Sequence, residues 1–369
     1  MPSTPKISVA LIVRDEAETI AACLSSVRDS VDEIIVVDTG STDDTKSVVR
    51  QFTDRIFDFV WCDDFSKARQ YAFDQATGDW VFWLDADDIL IGGEHLRAEI
   101  DALPPETTTL LWKYIYITDG VATLEHWRER CVPNDGSFHW TGRVHETLVT
   151  DKPHQRAYSQ KIYIEHHQKH LPTRTRRNLN ILEAEFAELG DAVPPRTLFY
   201  LGNEYMEYVD WDKAIDSYRL YLQRGTWQDE RYFAAVRLAR SLRNLKRYDE
   251  AIDAYLNALK ERPEFPHAYF GLAEIYYFQQ AWGRVIHWAE IGDQMPLPNT
   301  TLFLVKTEWE YDWLIHYTNA LYHVGRLQDA IEWTDYALSL RPEDAYHLSN
   351  KTFFLNRVDA VIRSQMNSF

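Results

Sequence analysis

The sequence predicts an α/β domain built on a mostly parallel sheet, followed by an all-α repeat domain. We place the first domain at residues 1–170 and the second at residues 171–369. Two observations predict this organisation. Over residues 7–84, apolar β-branched runs alternate with helical patterns, whereas after residue 171 the strand patterns disappear and a repeated helical pattern takes their place.

Composition sets limits on the class of protein. The chain has 369 residues, of which 45% are hydrophobic, enough for two packed cores. Its net charge of −18 disfavours a surface built wholly to bind nucleic acid, although a local basic patch stays open. The cysteines at 23, 62 and 131 are widely spaced, which predicts neither a disulfide framework nor a zinc site and favours a cytoplasmic location. The first apolar run is too short for a signal peptide, and no run is long enough to span a bilayer.

The strongest signal is the segment 79–88, DWVFWLDADD, in which an apolar run ends in three carboxylates. Five bulky residues in succession predict a strand buried on both faces, so Asp85, Asp87 and Asp88 lie at its carboxyl end. Ligands bind at that edge of open α/β sheets, where carboxylates can hold a divalent cation against nucleotide phosphates. An EF-hand is excluded because the sixth and twelfth loop positions would both be leucine. A surface cluster of acids is the remaining alternative.

Three further strands are predicted before this one, at residues 7–13, 33–38 and 56–61. Four strand–helix units in succession predict a mostly parallel sheet with helices on its faces. Asp38 ends the second strand and therefore faces the same cleft as Asp85. A carboxylate there can accept hydrogen bonds from a ribose or a base N–H. An ordinary turn acid is its alternative role.

Four segments of the N-terminal part resemble one known family. They are similar to the nucleotide-sugar-binding half of the family 2 glycosyltransferases, which have the A-type glycosyltransferase fold with its nucleotide-binding, Rossmann-like sheet. The similar segments are residues 7–15, 32–45, 64–69 and 79–88. The resemblance implies an enzyme that uses a nucleotide-sugar donor.

The resemblance also implies roles for individual residues. Asp38 would contact the uracil or ribose of a UDP-sugar, and Asp85 and Asp87 would form a DxD pair that binds the diphosphate through Mn²⁺ or Mg²⁺. Lys67 and Arg69 match the family by analogy and are predicted to contact the donor. Solvation on the surface of a helix is the alternative for both.

A second motif follows two antiparallel strands predicted at residues 110–117 and 124–132. Residues 138–146, FHWTGRVHE, resemble a segment of those relatives that carry helical repeats after a compact catalytic domain, and Arg143 is predicted to contact the donor. A transferase needs a base beside the attacking hydroxyl or thiol, so Glu146 is the candidate catalytic base. The alternative is that Arg143 and Glu146 form a structural ion pair or are surface charges.

A strand predicted at residues 161–165 delivers two adjacent histidines, His166 and His167. Neighbouring residues of a strand point to opposite faces, so one of the two can reach the cleft and complete the metal shell. The related segment in the repeat-bearing relatives has its histidine close to this position, and His167 is the predicted ligand. A plain surface pair is the alternative.

The C-terminal part contains a repeat. The segment 211–218 recurs at 248–255, 282–289 and 327–334, with offsets of 37, 34 and 45 residues. A pair of helices repeated about every 34 residues is the tetratricopeptide (TPR) signature, and the longest interval predicts an insertion before the last repeat. Such repeats stack into a superhelix with a concave face. The aromatic residues that recur in the repeats are predicted to pack rather than to bind sugar.

These observations predict a metal-dependent, inverting transfer of a hexose from a UDP-sugar to a macromolecular acceptor, inversion being implied by the resemblance. A repeat array fused to a transferase favours a peptide or protein acceptor. Hydroxymethylated DNA or lipopolysaccharide core stay open because of a basic group. Its members are Lys169, His170, Arg174, Arg176 and Arg177, with Arg128, Arg130, Lys152 and Arg156. An inactive transferase-like scaffold that binds protein partners is the alternative from another class.

Overall fold

The structure is a computed structural model that describes residues 4–104, 106–118, 121–167, 175–296, 300, 302, 305 and 307–366. Its contacts divide the chain into two compact units, Met1–Val193 and Pro194–Phe369. The domain boundary after residue 170 stays a prediction. Among the described residues, no helix combines the length and the apolar content needed to cross a membrane.

The first unit contains ten strands and five α-helices among its described residues. The strands are β1 (Ile7–Val13), β2 (Glu33–Asp38), β3 (Ile56–Asp58), β4 (Trp80–Leu84), β5 (Asp88–Ile91), β6 (Thr107–Thr118), β7 (Val121–Pro133), β8 (Phe138–Thr141), β9 (Thr147–Thr150) and β10 (Gln155–His167). The helices are α1 (Ile20–Val27), α2 (Thr45–Val49), α3 (Phe65–Asp74), α4 (Leu96–Asp101) and α5 (Arg177–Leu189). The alternation of strands and helices up to β4 confirms the α/β prediction.

Eight of these strands form one sheet in the order β3-β2-β1-β4-β7-β6-β10-β5, and β8 pairs with β9 in a separate sheet. β1 pairs in parallel with β2 and β4, and β2 with β3. Beyond β4, strand β7 is antiparallel to β4 and β6, and β5 is antiparallel to β10, so the sheet is mixed rather than mostly parallel. Because β1, β2 and β4 are parallel, their carboxyl ends meet at one edge.

Strand β4 is buried on both faces, as predicted. Phe82 and Leu84 belong to the core on one side of the sheet, with α1 and β6. Val81 and Trp83 belong to the core on the other side, with Phe73 of α3. Apolar side chains on both faces fix β4 in the middle of the sheet and leave its acidic end at the edge.

The second unit is helical throughout its described residues. Its helices are α6 (Pro195–Glu207), α7 (Trp211–Arg224), α8 (Gln228–Asn244), α9 (Tyr248–Glu261), α10 (His267–Phe278), α11 (Trp282–Asp293), α12 (Thr307–Glu310), α13 (Leu314–His323), α14 (Leu327–Leu340) and α15 (Ala345–Met366). The all-α prediction for this region is confirmed.

Four antiparallel helix pairs account for the sequence repeat: α6–α7, α8–α9, α10–α11 and α13–α14. The first helices of successive pairs contact one another, α6 with α8, α8 with α10 and α10 with α13, and we call them the first-helix layer. Close approach within the first pair needs Gly202, because a Cβ there would lie 2.5 Å from the ring of Tyr218. Helix α12 lies in the predicted insertion between the third and fourth pairs.

Candidate active site

Asp38 ends β2 and is almost completely buried. Its carboxylate accepts hydrogen bonds of 3.1 Å from the backbone N–H groups of Gly40 and Ser41, and the ammonium of Lys46 lies 3.3 Å away. Burial acts to raise the pKa of Asp38, but the hydrogen bonds from Ser41 and Gly40 and the charge of Lys46 hold it below its usual value. The ionised carboxylate therefore stabilises the turn after β2, at the edge where β1 and β4 also end.

Arg69 of α3 joins two of the predicted acids. Its Nε donates to Oε1 of Glu146 at 2.5 Å, and an Nη donates to Oδ1 of Asp85 at 2.7 Å. The guanidinium carbon lies 4.4 Å from the ring centre of Trp83 and 5.3 Å from that of Trp140. Burial acts to raise the pKa of Asp85, yet Arg69 holds it well below its usual range. One buried cation thus fixes the candidate base relative to the first aspartate of the DxD pair.

Glu146 is placed by the loop between β8 and β9. Gly142 in this loop has a φ of +92°, a left-handed conformation that glycine adopts without strain. The carbonyl oxygen of Arg143 accepts a 2.9 Å hydrogen bond from the backbone N–H of Phe65, the first residue of α3. Since Arg69 follows one turn later on α3, this bond holds the loop against the helix that carries the guanidinium. The two sequence motifs that contain Arg69 and Glu146 are therefore in direct contact.

The second aspartate of the pair belongs to a different cluster. Oδ1 of Asp87 lies 3.5 Å from Nδ1 of His166, and Oδ1 of the fully buried Asp88 lies 3.0 Å from the same nitrogen. Burial raises the pKa of Asp87 to about 6; His166 opposes this shift, and the charges of Asp85 and Asp88 add to it. One donor atom from each of Asp87, Asp88 and His166 lies within 4.8 Å of the other two. Carboxylate and imidazole donors at this spacing fit a divalent cation such as Mn²⁺.

Asp88, which is fully buried, stabilises the loop between β4 and β5. It accepts hydrogen bonds from the backbone N–H of Asp85 at 3.0 Å and from the hydroxyl of Tyr114 at 2.8 Å. The guanidinium of Arg130, which is also fully buried, lies 3.4 Å from its carboxylate and stacks 3.6 Å from the ring centre of Trp83. Removing one partner of a buried ion pair costs roughly 3–5 kcal/mol, so this pair anchors the loop that carries the DxD acids.

Lys67 and Arg143 lie away from these clusters. The ammonium of Lys67 is on the exposed side of α3, 3.3 Å from Asp64, the residue that caps the helix. Arg143 forms ion pairs with Glu185 and Glu188 of α5. The structural ion pair that was the alternative for Arg143 is therefore present, but with acids of α5 instead of Glu146. Their placement gives no support to the predicted donor contacts of these two residues.

The structure places His166, and not the predicted His167, beside the acids. Strand β10 pairs with β5 in a register that sets His166 opposite Asp88, so these two side chains share one face of the sheet. His167 is about half exposed, and its Nε2 lies 3.3 Å from Glu165. The register with β5, a strand that the sequence pattern did not reveal, decides which histidine faces the acids, and a metal-binding role for either histidine stays a prediction.

A cavity of about 230 Å³ opens at this edge of the sheet. Its lining includes Arg69, Asp85 and Asp87, together with Trp61 and Arg177. Charged groups beside an aromatic wall are the features of a pocket for a polar ligand that carries a planar ring. Trp61 was not predicted as a site residue, and Arg177 was predicted only as a member of the basic group, since no local pattern links either of them to the edge.

Sequence reasoning also missed the supporting role of Arg130. Strand β7 also carries Glu125, Arg128 and Glu129, so no local pattern singles out Arg130 as the residue that is buried against Asp88. The sequence places Arg130 in the predicted basic group, whereas the structure buries it against Asp88. Lys152 and Arg156 of that group form ion pairs with Asp135 and Glu129. Lys169, His170 and Arg174 lie outside the described residues.

Comparison with known families decides the identity of the first unit. Residues 8–166 match the family described as Glycosyl transferase family 2. These residues carry the likeness to the family 2 glycosyltransferases. The matched residues include Arg69, Asp85 and Glu146, and the predicted class of enzyme is confirmed. Residues 239–280 match the TPR repeat, so the predicted repeat type is confirmed as well.

Individual relatives match parts of the chain. A glycosyltransferase of Bacillus subtilis, SunS, is 29% identical over 297 residues, which cover 75% of this chain and 67% of SunS. A TPR repeat-containing protein of Synechococcus elongatus is 47% identical over 98 residues, 26% of this chain, and the match spans 24% of that relative's length. The chain also shows a likeness to the crystal structure of S. aureus TarS, with a TM-score of 0.42, 14% identity and coverage of 70% of this chain and 92% of that one.

Proposed function

We propose that this protein is a metal-dependent, inverting glycosyltransferase that moves a hexose from a UDP-sugar to a peptide or protein. The observation that carries this proposal is the contact of Arg69 with both Asp85 and Glu146 at the carboxyl edge of β4, inside the family 2 domain. It supports a site in which the donor-binding acid and the base are held at a fixed separation.

In this proposal the donor lies along the edge that joins β2 to β4. Asp38 contacts the uracil or ribose, and Asp85 and Asp87, with His166, face the diphosphate. Mn²⁺ or Mg²⁺ held by Asp87 and His166 would offset the negative charge of the diphosphate. Asp88 and Arg130 hold the loop in place from the buried side.

Glu146 accepts the proton of the acceptor group. As the acceptor O–H or S–H loses its proton to this carboxylate, the oxygen or sulfur forms a bond to the anomeric carbon. The bond between that carbon and the diphosphate oxygen breaks, and UDP leaves with the electron pair. Attack on the face opposite the leaving group inverts the anomeric centre. Arg69 holds the carboxylate of Glu146 in place by donating a hydrogen bond to its Oε1.

A peptide or protein acceptor is supported by the TPR match, because stacked repeats present a long surface to a macromolecular partner. The basic group that would favour DNA or lipopolysaccharide lacks this support, since Lys152 and Arg156 are already paired with acids. Free Cys23, Cys62 and Cys131 agree with the proposed reducing, cytoplasmic location.

The test is release of UDP from a panel of UDP-hexoses by the full-length protein, with Mn²⁺, with Mg²⁺ and with EDTA, followed by transfer to peptide, lipid-linked and hydroxymethylated DNA acceptors. We expect metal-dependent UDP release with at least one donor and labelling of peptide. Absence of binding and of release with every donor would favour the inactive scaffold. Labelling of DNA alone would overturn the peptide acceptor.

A further inference from the structure

A row of three arginines lies along α8 in the first-helix layer. Arg237, Arg240 and Arg243 are spaced three residues apart, which brings their side chains to one side of the helix. The row is unusual for a chain with a net charge of −18, because it concentrates positive charge on the layer that touches neighbouring repeats. The side chain of each arginine contacts a polar side chain of another helix, and these helices belong to different parts of the second unit.

Two of the partners come from adjacent first helices. Arg237 donates to Oδ1 of Asn203 on α6 at 2.7 Å, and Arg243 pairs with Glu274 on α10. These contacts repeat the packing of helix on helix within the layer. They stabilise the stack itself and leave no reason to expect a ligand at either end of the row.

The partner of the middle arginine comes from the insertion. Arg240 donates to Oε1 of Glu308 at 2.6 Å, and Glu308 belongs to α12, a helix of four residues. The side chain of Arg240 is 26% exposed and that of Glu308 is 25% exposed. An ion pair that water still reaches is worth much less than a fully buried one, so its carboxylate can be exchanged for another at low cost.

The same carboxylate faces a buried histidine. His267, the first residue of α10, is 2% exposed, and neither of its ring nitrogens has a hydrogen-bond partner among the described residues. Its Nε2 lies 3.9 Å from Oε2 of Glu308, and the ring of Trp309 lies 5.6 Å from the imidazole. Burying a polar group without a hydrogen-bond partner costs free energy. The imidazole of His267, buried beside the carboxylate of Glu308, therefore indicates a site for a ligand group that can form hydrogen bonds.

We propose that Arg240 and His267 form a binding site for an acidic side chain of a peptide partner, and that Glu308 fills this site in the absence of the partner. A cation, an imidazole and an aromatic ring suit a carboxylate in charge and in hydrogen-bonding capacity. The site would select acceptor segments that contain Glu or Asp. The link to an acceptor rests on the proposed function, whereas peptide binding itself does not.

An internal competitor has a measurable consequence. A carboxylate on the same chain acts at an effective concentration in the millimolar range, so an external acidic peptide has to displace it and binds more weakly than it would to the vacant site. Removing the charge of Glu308 therefore strengthens peptide binding, whereas removing the charge of Arg240 weakens it. A purely structural ion pair would show the second effect at most, through loss of folding.

The experiment measures binding of fluorescein-labelled hexaglutamate to the full-length protein by fluorescence anisotropy, with labelled hexaglutamine as the neutral probe. We expect Glu308→Gln to lower the Kd for hexaglutamate by roughly tenfold and Arg240→Gln to raise it by roughly tenfold or more. Glu310→Gln is the matched control, because it makes the same change of charge in the same short helix, and its Kd should equal that of the wild type.

Equal gains in Glu308→Gln and Glu310→Gln would overturn the proposal, since they would reflect net charge alone. So would unchanged binding in Arg240→Gln. Arg240→Lys keeps the charge and serves if Arg240→Gln loses its helical circular dichroism; it should retain most of the binding. UDP release by the same preparations is measured separately, so that a failure of the glycosyltransferase proposal leaves the binding result intact.

Discussion

Asp85 and Asp87 are two residues apart in one loop, yet their surroundings act on them in opposite directions. Arg69 lies 2.7 Å from Asp85 and holds its pKa well below the usual range, despite burial. Asp87 has no comparable cation among the residues that the structure describes; burial and the neighbouring acids outweigh His166, and its pKa rises to about 6. The negative charge of Asp85 is thus compensated by a cation of the protein, the guanidinium of Arg69.

This difference in charge compensation indicates different roles for the two clusters of the site. The Arg69 cluster, with Asp85 and Glu146, is complete in the protein and needs no ligand to fix its geometry. In the Asp87 cluster, Arg130 pairs with Asp88, and among the described residues only His166 lies beside Asp87, whose carboxylate a proton or a metal cation would stabilise. Substitutions in the first cluster should therefore affect chemistry, whereas those in the second should affect cation binding and the dependence on pH.

The largest effect is expected in the first cluster. Glu146→Gln keeps the shape of the side chain but cannot accept a proton, so the rate of sugar transfer should fall by roughly 10²–10⁴-fold while the Kd for UDP changes little. An assay of sugar transfer to a peptide acceptor measures the rate, and calorimetry measures the Kd for UDP. Asp135→Asn is the control, because Asp135 is an exposed acid paired with Lys152. A control as inactive as Glu146→Gln would remove Glu146 from its role as the base.

In the second cluster, Asp87→Ala should weaken UDP binding in Mn²⁺ by roughly tenfold or more, since a hard cation loses an oxygen ligand. Binding of UDP in EDTA should change much less. Calorimetry under both conditions separates the two contributions. Equal affinity of the variant and the wild type in Mn²⁺ would place the diphosphate elsewhere.

The two histidines provide a matched pair of substitutions. His166→Ala should lower the affinity for Mn²⁺ by roughly tenfold, because it removes the imidazole that lies beside Asp87 and Asp88. His167→Ala should leave this affinity unchanged, since His167 is half exposed and contacts Glu165. Titration of Mn²⁺ by electron paramagnetic resonance measures both. A larger loss in His167→Ala would restore the original choice of ligand.

The dependence on pH follows from the pKa of Asp87. With a pKa of about 6 in the cation-free protein, the carboxylate is protonated below that value, and proton and metal compete for it. Affinity for Mn²⁺ should therefore fall by up to about tenfold for each pH unit below 6 and level off above 7. In Asp87→Asn this dependence should be much flatter, which Mn²⁺ titrations between pH 5 and 8 would reveal.

The smallest effect concerns stability without metal. The ordinary pKa of the Asp87 carboxyl is 3.8, and folding raises it to about 6. This group therefore contributes fully to the free energy of unfolding below about pH 4, and the contribution is lost as pH rises through about 6. Asp87→Asn should therefore stabilise the metal-free protein at pH 7, by about 1–2 kcal/mol for a side chain that is still partly exposed. Urea unfolding in EDTA checks this, and the gain should vanish near pH 4.

Sequence reasoning placed the strand ends correctly because they depend on local patterns. The apolar run before Asp85 and the β-branched run before Asp38 fix where each strand stops, and parallel pairing brings the two ends to one edge. The strands β5, β8 and β9 escaped notice because each has four residues. Strand β3 ends at Asp58, earlier than the predicted residue 61.

Contacts between distant segments could not be predicted in the same way. The bond between Arg69 and Glu146 joins residues 77 positions apart and depends on how the loop after β8 packs on α3. Arg143 turns to Glu185 and Glu188 because α5 approaches that loop, and nothing near Arg143 in the sequence indicates this. Only the strand register with β5 settles which histidine faces Asp87.

The bridge made by Arg69 also has a consequence for how the sequence of this protein can evolve. A neutral residue at position 69 would leave two carboxylates facing each other without a cation, and loss of either acid would leave a buried guanidinium with half of its partners. No single replacement of Arg69, Asp85 or Glu146 by a neutral residue preserves the balance of charge. In an alignment of relatives, we therefore expect these three columns to change together or not at all, even though they are widely separated along the chain.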